Sequence, residues 1–439
     1  MVYRSANIPA APLLVGEPRI ALVDEPVSIQ LYGLAPRQKV TIHASTHDSQ
    51  GHVWTASATF SAGATGTIDV SSQQPENGTY RGVDAMGLFW SMSSFACTKE
   101  LLPFTTILQP MLVDLRAEVA GTSIAQVRIE RHFVGSNVSR TDLHEQGLAG
   151  IFFQPGTPGP HPAVLILGGS SGTLREQEAA LLASRGFCTL ALAYFGSDHL
   201  PPGLVEIPLE YFESAFQWLQ NSTAVLPTKV AVMGVSKGAE AALLLGSTFA
   251  AVKAVISYAP SALTFQGLAT SEEDDQKSSW SYQGKPLPFV TYKATPAFLE
   301  YEQTAREANL PLAFRSLYLS SLDDVASVEQ ATIPVEKING PVLLISGKDD
   351  QMWPSDLFGA MIEKRLTKYN HPYPYQHLSY ASAGHKIGLP FMPTTTLQQA
   401  SHPRSGLIYA YGGTTAGNAS ASSHSWRAVL DFLEESLKR

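Results

Sequence analysis

The chain has 439 residues, of which 44% are hydrophobic and 15% charged, and its formal net charge is −8. The length exceeds what one hydrophobic core usually organises, so two domains are expected. The acidic balance and the lack of a Lys/Arg run exclude nucleic acid as an expected partner. No apolar stretch suits a membrane span, and the Pro-interrupted N-terminal stretch does not resemble a signal peptide, which favours a cytoplasmic location.

Short β segments separated by Gly, Pro, Asn and Asp occupy residues 13–137. Several of them alternate apolar and polar residues, which is typical of antiparallel sheets with one buried face. We therefore expect an immunoglobulin-like β-sandwich in residues 1–137. The segments predicted to be strands are PVSIQLYGL, KVTIHASTHD, WTASATFSA, GTIDVSS, GTYRG, LFWSMSS and VRIERHFV.

The pattern changes near residue 148, where continuous apolar runs begin to alternate with helix-patterned segments. Apolar runs of this kind suit strands that are buried on both faces, and the alternation predicts a doubly wound, mostly parallel sheet in residues 138–439. Residues 261–333 interrupt the alternation with polar and aromatic sequence, which predicts a lid or cap-like insertion. The predicted strands include AVLILGG, CTLALAYF, VAVMGVS, AVISYAP and PVLLISG.

The most informative motif is Gly234-Val235-Ser236-Lys237-Gly238, which lies between a predicted strand and a predicted helix. A Gly-x-Ser-x-Gly string in that position is the nucleophile elbow of α/β-hydrolases. The helix N-terminus offers unpaired N–H groups to the negative charge that develops on an attacked carbonyl oxygen. Ser236 is therefore the predicted nucleophile of an α/β-hydrolase domain.

A serine hydroxyl needs a base, and in this fold the partners follow in the order Ser, acid, His. The strand PVLLISG ends in Lys348-Asp349-Asp350, and we favour Asp350 as the acid while Asp349 remains an alternative. His385 alone follows the acid's strand and then a further short strand, so it is the predicted base. The less suitable histidines are His371, His377, His402 and His424.

An oxyanion hole is expected from the backbone N–H of Lys237 and from the loop 168–172, with Gly169 and Ser170 as the donors. The same glycine-rich loop could be a plain strand-to-helix turn. No metal-binding or P-loop pattern occurs, so neither a metal nor a cofactor is expected. The acidic run Glu272–Asp275 is expected to be a solvent-exposed face of the insertion. Cys97 and Cys188 are expected to be buried small side chains.

At these motifs the sequence resembles the family of type I acyl-CoA thioesterases and bile acid-CoA:amino acid N-acyltransferases. The resemblance implies a β-sandwich followed by an α/β-hydrolase domain, with Ser236 as nucleophile, Asp350 as acid and His385 as base. Family members that transfer acyl groups to glycine or taurine use cysteine as nucleophile, so Ser236 favours hydrolysis. The resemblance is carried by VDEPVSIQLYGLAP, GTYRGVDAMGLFWSM, LLASRGFCTLALAYFG, LEYFESAFQWL, GVSKGAE and GKDDQMW.

The function that follows is hydrolysis of acyl-CoA through an acyl-serine, with acyl-CoA as the expected partner. The alternatives are a carboxylesterase or dienelactone-type hydrolase without a need for CoA, an N-acyltransferase, and a non-catalytic binding protein. Arg175, Lys237 and Lys386 are candidates for contact with the phosphates of CoA. Acyl-chain length and oligomeric state are not indicated by the sequence.

Overall fold

The computed structural model describes residues 11–106, 108–197, 199–402 and 405–438. The chain forms two compact units. The first takes in the chain up to Phe133 together with Pro390–Thr396, and the second contains Val134–Leu389 and the chain from Leu397 onward. Within the first unit, the backbone N–H of Thr394 donates to the Trp90 carbonyl at 3.0 Å. The predicted boundary near residue 137 remains a prediction.

The first unit is built from two sheets. A three-stranded sheet has the order β1-β3-β6, and a six-stranded sheet has the order β2-β9-β8-β4-β5-β7. The strands are β1 Leu13–Glu17, β2 Ile20–Leu22, β3 Ser28–Tyr32, β4 Lys39–His47, β5 Val53–Ser61, β6 Ile68–Asp69, β7 Asn77–Gly78, β8 Met111–Val119 and β9 Thr122–His132, and the helices are α1 Gly87–Trp90 and α2 Phe95–Glu100.

Alternation of buried and less buried residues along the strands creates the core of this sandwich. In β4 the side chains of Val40, Ile42 and Ala44 are buried, and the residues between them are not. All pairs in the two sheets are antiparallel except that of β2 with β9. The periodicity of two therefore predicted the layer correctly.

One predicted strand of this unit, LFWSMSS, was wrong at its start, because α1 occupies Gly87–Trp90. Asp84 explains the helical turn. Its carboxylate accepts hydrogen bonds from the Met86 N–H at 2.8 Å and from the Trp90 indole N–H at 2.8 Å. A short polar side chain that satisfies backbone and side-chain donors locally favours a turn over an extended strand.

The second unit contains an eight-stranded sheet, two smaller sheets of three and two strands, and helices that contact the large sheet. Its strands are β10 Ser139–Leu143, β11 Ala149–Gln154, β12 His161–Leu167, β13 Cys188–Ala193, β14 Ile207–Pro208, β15 Val225–Val235, β16 Val252–Tyr258, β17 Trp280–Tyr282, β18 Lys285–Pro286, β19 Val342–Gly347, β20 Tyr375–Tyr380, β21 Gln399–Ser401 and β22 Ile408–Ala410. Its α-helices are α3 Glu176–Ser184, α4 Leu209–Asn221, α5 Lys237–Thr248, α6 Pro296–Glu307, α7 Arg315–Ser321, α8 Val325–Ala331, α9 Ser355–Lys368 and α10 Thr415–Leu433. Short 3₁₀ turns at Glu272–Asp274 and Val335–Lys337 and a π-helical turn at Glu434–Lys438 complete it.

The large sheet has the order β10-β11-β13-β12-β15-β16-β19-β20, and its strands from β13 to β20 in that order are parallel. Apolar residues of α4, α5 and α9 form one core cluster with alternate residues of the strands. Helices α3 and α10 contact the sheet but contribute no residue to that cluster. This arrangement confirms the predicted fold class, an α/β-hydrolase domain that follows an antiparallel β-sandwich.

Parallel strands place their carboxyl ends at one edge of the sheet, where open α/β sheets bind ligands. The loops after β12, β15, β19 and β20 carry the predicted site residues to that edge. The insertion segment, residues 261–333, leaves the sheet after β16 and contains β17, β18 and α6 to α8.

Candidate active site

Ser236 lies between β15 and α5 in a backbone conformation that non-glycine residues seldom adopt, with φ 57° and ψ −121°. Its N–H donates to the Tyr258 carbonyl at 2.9 Å, which ties the turn to the neighbouring strand β16. Strained residues persist only where the surroundings over-determine them. The strain raises the serine out of the strand and above the start of the helix, as the elbow motif predicted.

The two glycines of the motif are required because backbone segments approach them closely. A Cβ on Gly234 would lie 1.9 Å from the Gly238 carbonyl oxygen, and a Cβ on Gly238 would lie 2.3 Å from the Gly168 carbonyl oxygen. Both distances are far inside van der Waals contact. The motif is thus explained by packing of the strand, the helix and the loop after β12.

His385 is the histidine that the structure brings to Ser236. Its Nε2 lies 3.0 Å from the Ser236 Oγ, and its Nδ1 lies 2.8 Å from the Asp350 Oδ2. The His385 backbone N–H donates to the Tyr411 carbonyl at 2.8 Å. The imidazole ring packs edge-on against Trp353 and stacks with Tyr411, with centroid distances of 5.8 and 6.1 Å.

Asp350 and Asp349 have different partners, and this separates the two alternatives left by the sequence. Asp350 is fully buried, and its carboxylate accepts from the Met352 and Trp353 N–H groups as well as facing His385. The carboxylate of Asp349 instead accepts from the Gly413 N–H at 2.8 Å and from the side chain of Gln351 at 2.6 Å. The geometry favours Asp350 as the acid.

Three supporting residues were not found from the sequence. The Ser355 hydroxyl donates to Asp350 Oδ2 at 2.6 Å, and the Trp353 and Tyr411 rings enclose the imidazole. Ser355 follows the acid by only a few residues, but a serine after a helix-initiating Pro gives no sequence signal of this contact. Tyr411 is far along the chain, so only the folded structure reveals it.

The loop after β12 lies against the nucleophile. A Cβ on Gly169 would lie 3.1 Å from the Ser236 Cβ, and Ser170 lines the same cavity as Ser236. Lys237 occupies the first position of α5, where a backbone N–H has no intrahelical acceptor. The predicted oxyanion donors are therefore near the serine, and their role remains a prediction.

The Lys237 side chain corrects one expectation. The side chain is 2% exposed, and its ammonium contacts both carboxylate oxygens of Glu240, at 3.0 and 2.8 Å. Burial lowers the pKa of Lys237, and the charge of Glu240 opposes that shift. Glu240 also accepts from the Trp280 indole at 2.7 Å and from the Phe265 N–H at 3.2 Å. Lys237 is thus committed to an internal ion pair and is unsuited to bind the phosphates of CoA.

The other two basic candidates are also constrained. Arg175 pairs with Glu178, and the Lys386 ammonium lies 3.8 Å from the centre of the Tyr411 ring. Burial, with a smaller contribution from the charge of Arg175, lowers the pKa of Lys386 to about 8. Whether either residue meets a phosphate stays a prediction.

Three of the other histidines considered above have structural partners, and the fourth lies beside the candidate site. His371 contacts the Gly340 carbonyl at 3.1 Å, His377 lies between Ser346 and Glu363, and His424 contacts the Tyr380 hydroxyl. His402 lines the cavity at Ser236. Glu272 and Glu273 are exposed in the insertion segment, and Asp274 pairs with Lys277.

Both cysteines are buried and free, as predicted. Cys97, the cysteine of the first unit, lies in a group that the sequence did not reveal. One possible metal-ligand atom from each of Asp48, His52 and Cys97 lies within 4.8 Å of the others. The Asp48 carboxylate already accepts from the N–H groups of Gln50 and His52, the His52 ring and the Trp54 indole. We therefore interpret the Asp48 group as a hydrogen-bonded part of the β-sandwich core.

A cavity of about 190 Å³ opens beside Ser236 and His385. Its apolar walls include residues from the insertion segment and from the loop after β19. These wall residues are Leu268, Tyr292, Phe314, Leu317, Tyr318 and Met352. None of the helices in the described part of the chain is long and apolar enough to cross a membrane.

Comparison with known proteins identifies the family. The C-terminal model of the BAAT/acyl-CoA thioester hydrolase family matches residues 207–439, and the N-terminal model matches residues 24–145. Among curated proteins, the mouse bile acid-CoA:amino acid N-acyltransferase is 32% identical over 97% of each chain. The mouse mitochondrial acyl-coenzyme A thioesterase 2 is 30% identical over 94% of this chain and 87% of its own.

A solved dienelactone hydrolase-like phosphotriesterase from metagenomic libraries is similar over 69% of this chain and 99% of its own, at 16% identity and a TM-score of 0.41. That similarity carries no inference about activity. The two family models and the full-length relatives agree with the resemblance noted from the motifs. The chain is an α/β-hydrolase enzyme that belongs to the BAAT/acyl-CoA thioester hydrolase family.

Proposed function

We propose that the chain hydrolyses acyl-CoA thioesters through an acyl-serine intermediate. The observation that carries this is the continuous hydrogen-bonded series from the Ser236 hydroxyl through His385 to the buried Asp350, with distances of 3.0 and 2.8 Å. Several full-length relatives bear the name acyl-coenzyme A thioesterase. The substrate class is taken from these relatives and the chemistry from the geometry.

In the proposed reaction, His385 takes the proton of Ser236 as the hydroxyl attacks the thioester carbonyl carbon. The negative charge on the carbonyl oxygen is stabilised by the backbone N–H of Lys237 and by donors at Gly169 or Ser170. The carbon–sulfur bond then breaks, and His385 gives the proton it took from Ser236 to the sulfur, so that CoA leaves as thiol and His385 is neutral again. Asp350 holds the imidazole in the tautomer whose Nε2 can accept a proton, and it stabilises the imidazolium.

Deacylation repeats these steps with water. His385 takes a proton from the water that attacks the acyl-serine ester, and it returns a proton to Ser236 as the carboxylic acid leaves. The net result is one thioester and one water converted into one carboxylic acid and one CoA thiol.

A second candidate is acyl transfer to an amino acid, because the mouse relatives that are 31–32% identical to this chain are named N-acyltransferases. In that reaction an amine replaces water as the attacker of the acyl-serine. Glycine and taurine are the appropriate competing acceptors, since the family resemblance points to them. Serine at the nucleophile position favours water.

The test is release of CoA thiol from acyl-CoA by the purified chain, by Ser236→Ala and by His385→Gln, with matched simple esters beside the thioesters. We expect thiol release that requires Ser236 and exceeds simple-ester cleavage. Ester cleavage without thioester cleavage would contradict the proposal and indicate a carboxylesterase. Amide formation that exceeds acid formation in the presence of glycine would indicate an acyltransferase.

A further inference from the structure

The size of the cavity at Ser236 sets a limit on what it can hold. Its volume is about 190 Å³. For comparison, an apolar cavity of about 150 Å³ accommodates a single benzene ring. The cavity beside the nucleophile therefore has room for a group of about six to eight non-hydrogen atoms. The cavity is partly open to solvent, so the part of a long fatty acyl chain that exceeds this volume must either displace wall residues or lie outside in water.

The walls are aromatic rings that are packed against further rings. Tyr318 packs edge-on against Trp353 and Phe265, with centroid distances of 5.5 and 4.9 Å, and against Tyr292 at 5.3 Å. Behind them, Trp353 packs edge-on against Phe358 at 6.2 Å. Because close-packed interiors yield little space without loss of contacts, this wall cannot expand cheaply.

Polar contacts also fix these rings. The Tyr292 hydroxyl donates to the Gln266 carbonyl at 3.2 Å and lies 3.3 Å from the Tyr318 hydroxyl. Moving either ring would leave these hydroxyl groups without partners, which is unfavourable for polar groups in a packed interior. The Tyr292–Tyr318 pair is therefore a fixed part of the cavity wall.

The chemical and apolar parts of the cavity are continuous. Ser236, His385 and Ser170 line it together with Leu317 and Phe314. An acyl carbonyl held at the Ser236 hydroxyl therefore has an apolar cavity within reach of its alkyl group. Leu317 and Phe314 belong to the start of α7 and its preceding residue, so the insertion segment contributes directly to this space.

We propose that this cavity holds the acyl group and restricts the enzyme to short, branched or aromatic acyl groups in preference to long straight chains. The proposal rests on the thioesterase function proposed above and adds its substrate class. Each methylene that enters the cavity contributes up to about fourfold to kcat/KM, because burial of a methylene stabilises by about 0.8 kcal/mol. Methylenes that exceed this volume either displace packed wall residues or stay in water, so they contribute nothing or lower kcat/KM.

The experiment measures kcat/KM for acetyl-, butanoyl-, hexanoyl-, octanoyl-, dodecanoyl-, hexadecanoyl- and phenylacetyl-CoA, each below its micellar concentration. We expect a rise to hexanoyl- or octanoyl-CoA, high activity with phenylacetyl-CoA and at least a tenfold lower value for hexadecanoyl-CoA. A value for hexadecanoyl-CoA equal to or above that for octanoyl-CoA would overturn the proposal.

Two enlarging variants test whether this cavity sets the limit. Leu317→Ala and Met352→Ala each remove three side-chain atoms from the wall, so each should move the preferred chain about three carbons longer. The matched control is Leu319→Ala, because Leu319 is on the same helix but 40% exposed, and its profile should equal that of the wild type. Enlarging variants that fold and keep the wild-type profile would show that the acyl group lies elsewhere.

The same chain-length series as p-nitrophenyl esters separates the two proposals. A length limit seen with esters but no cleavage of any thioester would sink the thioesterase function and keep the acyl cavity. Thioester cleavage without a length limit would keep the function and overturn the acyl cavity.

Discussion

The buried ion pair of Lys237 with Glu240 allows a quantitative prediction about stability. Glu240→Gln removes the charge of the side chain but keeps an oxygen that can accept from Trp280 and Phe265. The Lys237 ammonium would then be buried without a counterion, and breaking a buried pair in this way costs about 3–5 kcal/mol. The expected loss of unfolding free energy at pH 7 is therefore in that range.

The double variant Lys237→Met/Glu240→Gln is the matched control for Glu240→Gln. It removes both charges and leaves a side chain of similar length at residue 237, and replacement of a whole buried pair is often neutral or stabilising. We expect the double variant to be within about 1 kcal/mol of the wild type, or more stable. The two substitutions together would thus cost less than Glu240→Gln alone.

The pH dependence has a definite sign. Burial lowers the pKa of Lys237 in the folded protein, and loss of Glu240 removes the charge that opposes this shift. Between the folded and unfolded pKa values the unfolded state binds more protons, so the stability of Glu240→Gln rises with pH. The deficit should shrink by up to about 1.4 kcal/mol for each pH unit in that window.

The assay is urea unfolding followed by circular dichroism, with midpoints and slopes recorded at pH 7 and pH 9 for wild type, both single variants and the double variant. A Glu240→Gln variant as stable as the wild type at pH 7 would refute the reasoning. A double variant no more stable than Glu240→Gln would refute it as well, because the coupling between the two charges would then be absent.

Three further substitutions probe the candidate active site and its surroundings. Asp350→Asn should lower kcat by about 10⁴-fold, as loss of the acid does in other Ser-His-Asp enzymes, whereas Asp349→Asn should lower it far less; equal losses in steady-state thiol release would contradict the assignment. Ser355→Ala removes a donor to a buried carboxylate and should cost about 1.5–3 kcal/mol of stability in urea unfolding, and an unchanged midpoint would show that the contact is unimportant. Burial lowers the pKa of Lys386 to about 8, so between pH 8 and pH 10 the unfolded state binds more protons at this residue than the folded state. The unfolding free energy of the wild type should therefore rise over this range relative to that of Lys386→Met, and parallel pH profiles of the two proteins would rule this out.

Much of the fold could be predicted because each element has a local signal. The runs AVLILGG and VAVMGVS are apolar throughout, and they became β12 and β15, neighbouring parallel strands. The segment at Leu88 was misread as a strand because its apolar residues carry no period, and the side chain of Asp84 decides the turn. Propensity is a weak prior where a side-chain hydrogen bond competes with it.

The catalytic candidates were accessible to sequence reasoning for a related reason. Ser236 lies in a motif whose glycines are demanded by contacts within the motif and its neighbouring loop. The proposed acyl cavity could not be predicted from the sequence, because Leu268, Leu317 and Tyr409, which line it, come from distant segments with no common pattern. The ion pair of Lys237 with Glu240 spans one helical turn, but its burial depends on Trp280 of the insertion segment.

The adjacent aspartates show how two similar residues acquire separate tasks. Asp350 faces His385, whereas Asp349 accepts from the N–H of Gly413. Gly413 follows Tyr411, whose carbonyl accepts the N–H of His385, so the turn held by Asp349 also holds the loop that carries the base. A Cβ on Gly412, between these two residues, would lie 1.9 Å from the Asp349 carbonyl oxygen, so the close approach of this turn to Asp349 needs a glycine at residue 412. The acid loop and the base loop are therefore positioned by one shared turn, and the choice between the aspartates follows from which way each carboxylate points.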